Sequence, residues 1–105
     1  MKPQEQDLLL RLMLFNEECT EAAQAAAKLM RIMMGDATPV TEPEAKQHLL
    51  EEMADVYVTA LALEPDRMTI EAIARRKSIR WEERLSEKLE AVNRTMEEGH
   101  DDEGE

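Results

Sequence analysis

The chain has 105 residues, 43% hydrophobic and 35% charged, with a formal net charge of −11; this is one domain near the lower limit at which a single core is self-sufficient, so help from a partner subunit is expected. The charge repels nucleic-acid phosphates and anionic membrane surfaces, and no basic run interleaved with aromatics offsets it, which excludes a nucleic-acid-binding module. Three glycines, four prolines and one each of Trp, Tyr and Phe are too few turn and strand formers for a β sandwich or barrel, so the composition is that of an all-α protein.

The N-terminus MKPQEQD lacks the basic flank and apolar stretch of a signal peptide. From Leu8 the residues Leu8, Leu12, Phe15, Cys19, Ala22, Ala26, Leu29 and Met33 alternate steps of four and three, the seam of one long packed helix. Gly35 supplies its stop signal. "GDATPVTEP" reads as a loop, and Thr41 followed by Glu44 resembles a capping box for a second helix that tolerates Pro43 in its first turn. That helix carries Leu49, Met53, Val56, Ala60 and Leu63 on one face and ends near Pro65. Thr69 is the expected cap of a third helix with apolar positions Ile70, Ile73, Ile79, Leu85, Leu89 and Val92. The ordered domain is placed at 1–97 and an acidic, disordered tail at 98–105. Short loops favour antiparallel neighbours, so the expected fold is an antiparallel helical bundle of three to four helices completed by oligomerisation. No apolar run approaches the roughly 18 residues of a membrane span. The lone Cys19 has no internal disulfide partner, and together these features predict a cytoplasmic protein.

Acidic residues repeat beside the two seams. Phe15–Ala22 (FNEECTEA) and Leu49–Val56 (LLEEMADV) align Glu17 with Glu51, Glu18 with Glu52 and Glu21 with Asp55, each flanked by apolar residues. A helical residue advances about 100°, so Glu18 and Glu21 point within roughly 60° of each other on a flank of the first seam, as do Glu52 and Asp55 on the second. If the helices pack antiparallel, seam to seam, four carboxylates converge. Like charges a few Å apart in a partly dry site repel strongly, and a divalent cation relieves the repulsion. Oxygen-only ligands favour Mg²⁺ or Mn²⁺ over Zn²⁺ or iron, and Mg²⁺ shares its coordination readily with phosphates.

The pattern EExxE, a spacer, then EExxD before an apolar stretch resembles the MazG-like superfamily of all-α nucleoside triphosphate pyrophosphohydrolases. That group also holds dimeric dUTPases and phosphoribosyl-ATP pyrophosphatase. "EEMADVYV" and "RRKSIRWEERL" look most like its small single-domain bacterial and phage members, and the likeness runs from about Leu8 to Leu85. The resemblance implies that Glu18, Glu21, Glu52 and Asp55 hold Mg²⁺ (Mn²⁺ substituting) while a water attacks the α-phosphorus of a nucleoside triphosphate and releases pyrophosphate. Glu17 or Glu51 is then the candidate to orient or deprotonate that water. It further implies that Lys77, Arg80 and Arg84, a cationic row at i, i+3 and i+7, contact phosphates, with Lys28 and Arg31 as further candidates. A homodimer or homotetramer is expected, with the base pocket partly built by a second subunit.

Other residues carry weaker signals. Trp81 suits core or interface better than base stacking, and the methionines suit packing. His48 has no acidic residue three positions before it to make an ExxH pair, and Glu97–His100 forms ExxH only across Gly99, which disfavours a di-iron bundle. Two alternatives stand beside the pyrophosphohydrolase: a phosphoribosyl-ATP pyrophosphatase-like enzyme, whose motif variants are not evident, and a non-catalytic helical oligomerisation or nucleotide-binding protein.

Overall fold

The computed structural model describes the backbone of residues 1–103 and the side chains of residues 1–98. Among them there are three α-helices and no strand: α1 (Pro3–Met33), α2 (Glu42–Leu61) and α3 (Arg67–Glu103). The all-α class read from composition is the one observed. The chain divides into two compact units, Met1–Pro65 and Asp66–Glu105. No helix among the described residues is long and apolar enough to cross a membrane.

The first unit is an antiparallel helical hairpin. α1 begins at Pro3, whose fixed φ and missing N–H suit a first helical turn, and the Lys2 backbone N–H donates to Glu5 Oε2 at 3.3 Å. It ends in a Schellman motif: Gly35 sits at φ 95°, its N–H donates to the Ile32 carbonyl, and the Asp36 N–H reaches back to Arg31. A residue with a Cβ would be strained at that φ. The expected capping box opens α2, with the Glu44 N–H donating to Thr41 Oγ1 at 3.3 Å and the Thr41 N–H to Glu44 Oε2 at 3.4 Å.

Far from the turn, Arg11 ties the two helices together. Its Nη1 donates to the Ala62 carbonyl at 2.6 Å, its Nε pairs with Asp7 at 2.9 Å, and Glu64 lies 3.6 Å from Nη1. A cation thus meets the carbonyl end of α2, where the helix dipole is negative. Glu64 takes a positive φ of 53°, which reverses the chain before Pro65.

One series of half-buried or buried positions on α1 is Arg11, Phe15, Glu18, Ala22, Ala25, Leu29 and Ile32, and one on α2 is Ala45, Leu49, Glu52, Val56 and Thr59, reaching Leu63 just beyond the helix; Cys19, Ala26 and Lys28 on α1 and Glu42 and Ala60 on α2 are half-buried beside them. Both series step four and three, the spacing of a heptad seam. This corrects the expected frame. Leu8, Leu12 and Met33 are exposed, as is Met53 at 54%, while Ala25 and Ala45 are the two fully buried residues. A methyl side chain on each helix allows close backbone approach, which turns the flanking large residues outward. The central expectations, Phe15, Cys19, Ala22, Ala26, Leu29, Leu49, Val56, Ala60 and Leu63, are all at least half-buried.

The second unit is one long helix. Its cap is Asp66, not Thr69: the Thr69 N–H donates to Asp66 Oδ1 at 3.1 Å, so the helix starts three residues earlier than expected. Ile73 is half-buried, whereas Ile70, Ile79, Leu85, Leu89 and Val92 are exposed. The backbone stays helical to Glu103 across the segment expected to be disordered; residues 104–105 and the side chains from 99, including His100 of the ExxH match, lie outside the described residues.

Close approach at the alanines has a measurable consequence. Ala25→Leu is expected to lower stability to urea by about 1–3 kcal/mol through overpacking, whereas Ala27→Leu, on the exposed side of the same turn, stays within about 0.5 kcal/mol of the parent.

Candidate functional site

Two of the candidate carboxylates lie in the seam itself. The sequence places Glu18 and Glu52 on its flanks, but the frame set by Ala25 and Ala45 brings both onto the positions where α1 meets α2. Each is half-buried, and the Glu52 side chain is only 15% exposed. Asp55, one turn beyond Glu52, is exposed. One carboxylate oxygen from each of Glu18, Glu52 and Asp55 lies within 4.8 Å of the others, so the antiparallel packing brings together side chains 34 to 37 positions apart in the chain.

Glu21 stands one turn after Glu18, exposed and near enough to act on it electrostatically. Loss of hydration pushes the Glu18 carboxyl above its usual value near 4.5, and the negative charges of Glu21, Asp55 and Glu52 push it further in the same direction. Oε2 of Glu18 and Oε2 of Glu52 are shielded from solvent and accept no hydrogen bond from the described residues. Shielded acceptors without a partner are uncommon, because each has given up water for nothing in return.

The remaining candidates are placed as follows. Glu17 and Glu51 are exposed and outside the three-carboxylate group; each neighbours a seam glutamate in sequence, and a helical step of about 100° turns it outward. Glu51 Oε1 lies 3.5 Å from Gln47 Nε2. Lys28 is half-buried on α1 and Arg31 exposed. On α3, Lys77, Arg80 and Arg84 line a shallow recess along the helix together with Trp81. Among the described residues none of these three cations is paired with a carboxylate. Trp81 is 59% exposed.

One contact escaped sequence reasoning. His48 Nε2 lies 3.1 Å from Glu52 Oε1. The ExxH spacing of a helical ligand pair is i and i+3, whereas His48 and Glu52 stand at i and i+4, which are equally neighbours on a helix.

No known protein family, curated protein or solved structure matches this chain. The chemical reading therefore rests on the residues. Three to four carboxylates at a partly dry helix interface offer hard oxygen donors and excess negative charge, an arrangement suited to a proton or a hard divalent cation.

The raised Glu18 value has a definite sign in stability. The folded state holds this proton more tightly than the unfolded chain, so the contribution is fully present below pH 4.5 and is lost as pH rises through the raised value. In cation-free buffer, Glu18→Gln is expected to raise the melting temperature at neutral pH and to flatten its decline above pH 4.5, as read by circular dichroism melts across a pH series.

Proposed function

We propose that the chain is a Mg²⁺-dependent nucleoside triphosphate pyrophosphohydrolase, converting an NTP or dNTP to the monophosphate and pyrophosphate. The observation that supports this reading most is the meeting of Glu18, Glu52 and Asp55 oxygens within 4.8 Å, with two shielded oxygens left unpartnered. A divalent cation fits that donor set: the ligands are hard oxygens, the charge is in excess, and the orphaned acceptors gain a partner. Glu18, Glu52 and Asp55 are its proposed holders, with Glu21 completing the set from the next turn of α1. The chemistry such an ion supplies when bound is counter-charge for phosphoryl oxygens and a lowered pKa for water.

The chain's own groups take the remaining roles. Glu17 and Glu51, exposed beside the cluster, are the candidates to accept a proton from the attacking water or to orient it. Both are exposed, so water can reach them. Lys77, Arg80 and Arg84 are the candidates for the triphosphate oxygens, since guanidinium groups bind phosphate through paired N–H donors. Lys28 is a further cation for the same purpose.

A second copy of the chain is proposed to cover the apolar surface that the hairpin leaves open, which includes Leu9, Leu12, Met53, Tyr57 and Leu61. Large apolar side chains left exposed in this number are what a subunit interface would cover, and the helical bundle expected from the sequence is then completed by a homodimer or homotetramer. A mass of one 12.1 kDa chain by light scattering at micromolar concentration would contradict it.

Pyrophosphate release across a panel of NTPs and dNTPs, with and without Mg²⁺, tests the main reading; phosphoribosyl-ATP belongs in the panel. Glu52→Gln and Asp55→Asn are each expected to reduce turnover by more than the roughly 10–100-fold that loss of an outer-sphere partner costs, and undiminished activity in either sinks the assignment. Arg80→Gln is expected to raise KM for the triphosphate by about tenfold or more, the worth of one charge-assisted hydrogen bond.

A further inference from the structure

We infer that His48 is a positioning residue for Glu52, holding one carboxylate oxygen so that the other stays turned into the cluster. The inference rests on the proposed cation site and deepens it. Glu52 is divided by its surroundings: Oε1 lies 3.1 Å from His48 Nε2, while Oε2 is shielded and has no partner among the described residues. A ring N–H donated to Oε1 fixes the rotation of the carboxylate about its last bond, and with it the direction in which Oε2 presents its lone pairs.

Glu52 needs such a partner more than its neighbours do. A glutamate side chain carries several rotatable bonds, and repulsion from Glu18 and Asp55 favours rotamers that swing it out of the seam. Asp55 is shorter and therefore stiffer. Glu52 is the member of the cluster whose carboxylate accepts a side-chain hydrogen bond from outside it, among the described residues. His48 is half-exposed, with 51% of its side chain open to solvent, so the ring adds little to the packing of the hairpin. It sits one turn before Glu52 on α2, and the helix itself sets the distance between them. Partners of this kind orient a ligand without touching what the ligand holds.

The test measures cation binding to the full-length protein with Mn²⁺ as the probe, following the signal of the free aquo ion by electron paramagnetic resonance. Wild type, His48→Ala, His48→Gln and Glu52→Gln are compared. His48→Ala is expected to weaken Mn²⁺ binding about tenfold while leaving the cation-free melting temperature unchanged. His48→Gln, whose amide Nε2 can take the place of the ring Nε2 as donor, is expected to restore most of the affinity. If Glu52→Gln loses binding and His48→Ala does not, the positioning role is overturned and the cation site stands. Equal weakening in His48→Ala and His48→Gln overturns the role of the donor. Absence of Mn²⁺ binding by the wild type, or full binding by Glu52→Gln, removes the cation site and the inference together.

Discussion

Two glutamates stand where a helical hairpin would ordinarily place leucine, and the rest of the first unit is arranged around that constraint. Glu18 and Glu52 occupy heptad positions of the seam between α1 and α2. Oε2 of each loses water without gaining a hydrogen-bond donor among the described residues, and Asp55 and Glu21 add charge of the same sign. Such a group is unfavourable in isolation, because desolvation and repulsion both penalise the ionised form. The hairpin is therefore held elsewhere: by small residues at Ala25 and Ala45, by the Thr41 capping box and Schellman turn at one end, and by the Arg11 clasp at the other. The hairpin is thus fastened at its ends, with electrostatic repulsion between them.

The doubled glutamates also acquire a physical meaning. In each pair one carboxylate faces the seam and the other faces water, because adjacent helical positions diverge by about 100°. Glu18 and Glu52 are thus poorly hydrated while Glu17 and Glu51 remain solvated. Two carboxyl groups adjacent in sequence thus stand in different surroundings, one at the helix interface and the other in water. The repeat of this arrangement on a second helix gives the cluster its charge density.

Much of the sequence organisation is visible in the structure for identifiable reasons. Helix ends at Gly35, Thr41 and Pro65 are set by local chemistry: a positive φ, a side-chain acceptor for a free N–H, and a ring that cannot continue a helix. Asp66 rather than Thr69 caps α3 because both residues satisfy the same rule and the earlier one follows directly on Pro65. The seam frame was harder to read. Residues Leu8–Leu14 are apolar at six of seven positions, so hydrophobic periodicity there admits more than one face, and the frame through Leu12 and Ala26 is apolar throughout whereas the one through Arg11 and Ala25 takes in Arg11 and Glu18. The partnership of His48 with Glu52 is legible at four-residue spacing, outside the ExxH pattern of a helical ligand pair.

From the sequence alone came the all-α class, the helix boundaries to within a few residues and the two acidic motifs in matching register. These are properties of single segments, governed by backbone sterics and capping, and they need no knowledge of what packs against what. Tertiary structure alone decided which face of α1 meets α2, and hence that Glu18 and Glu52 lie in the seam and come within 4.8 Å of Asp55. It did so because close approach at two alanines selects one rotational setting for both helices at once, and a rotation of a fraction of a turn is enough to move a carboxylate from solvent into the interface.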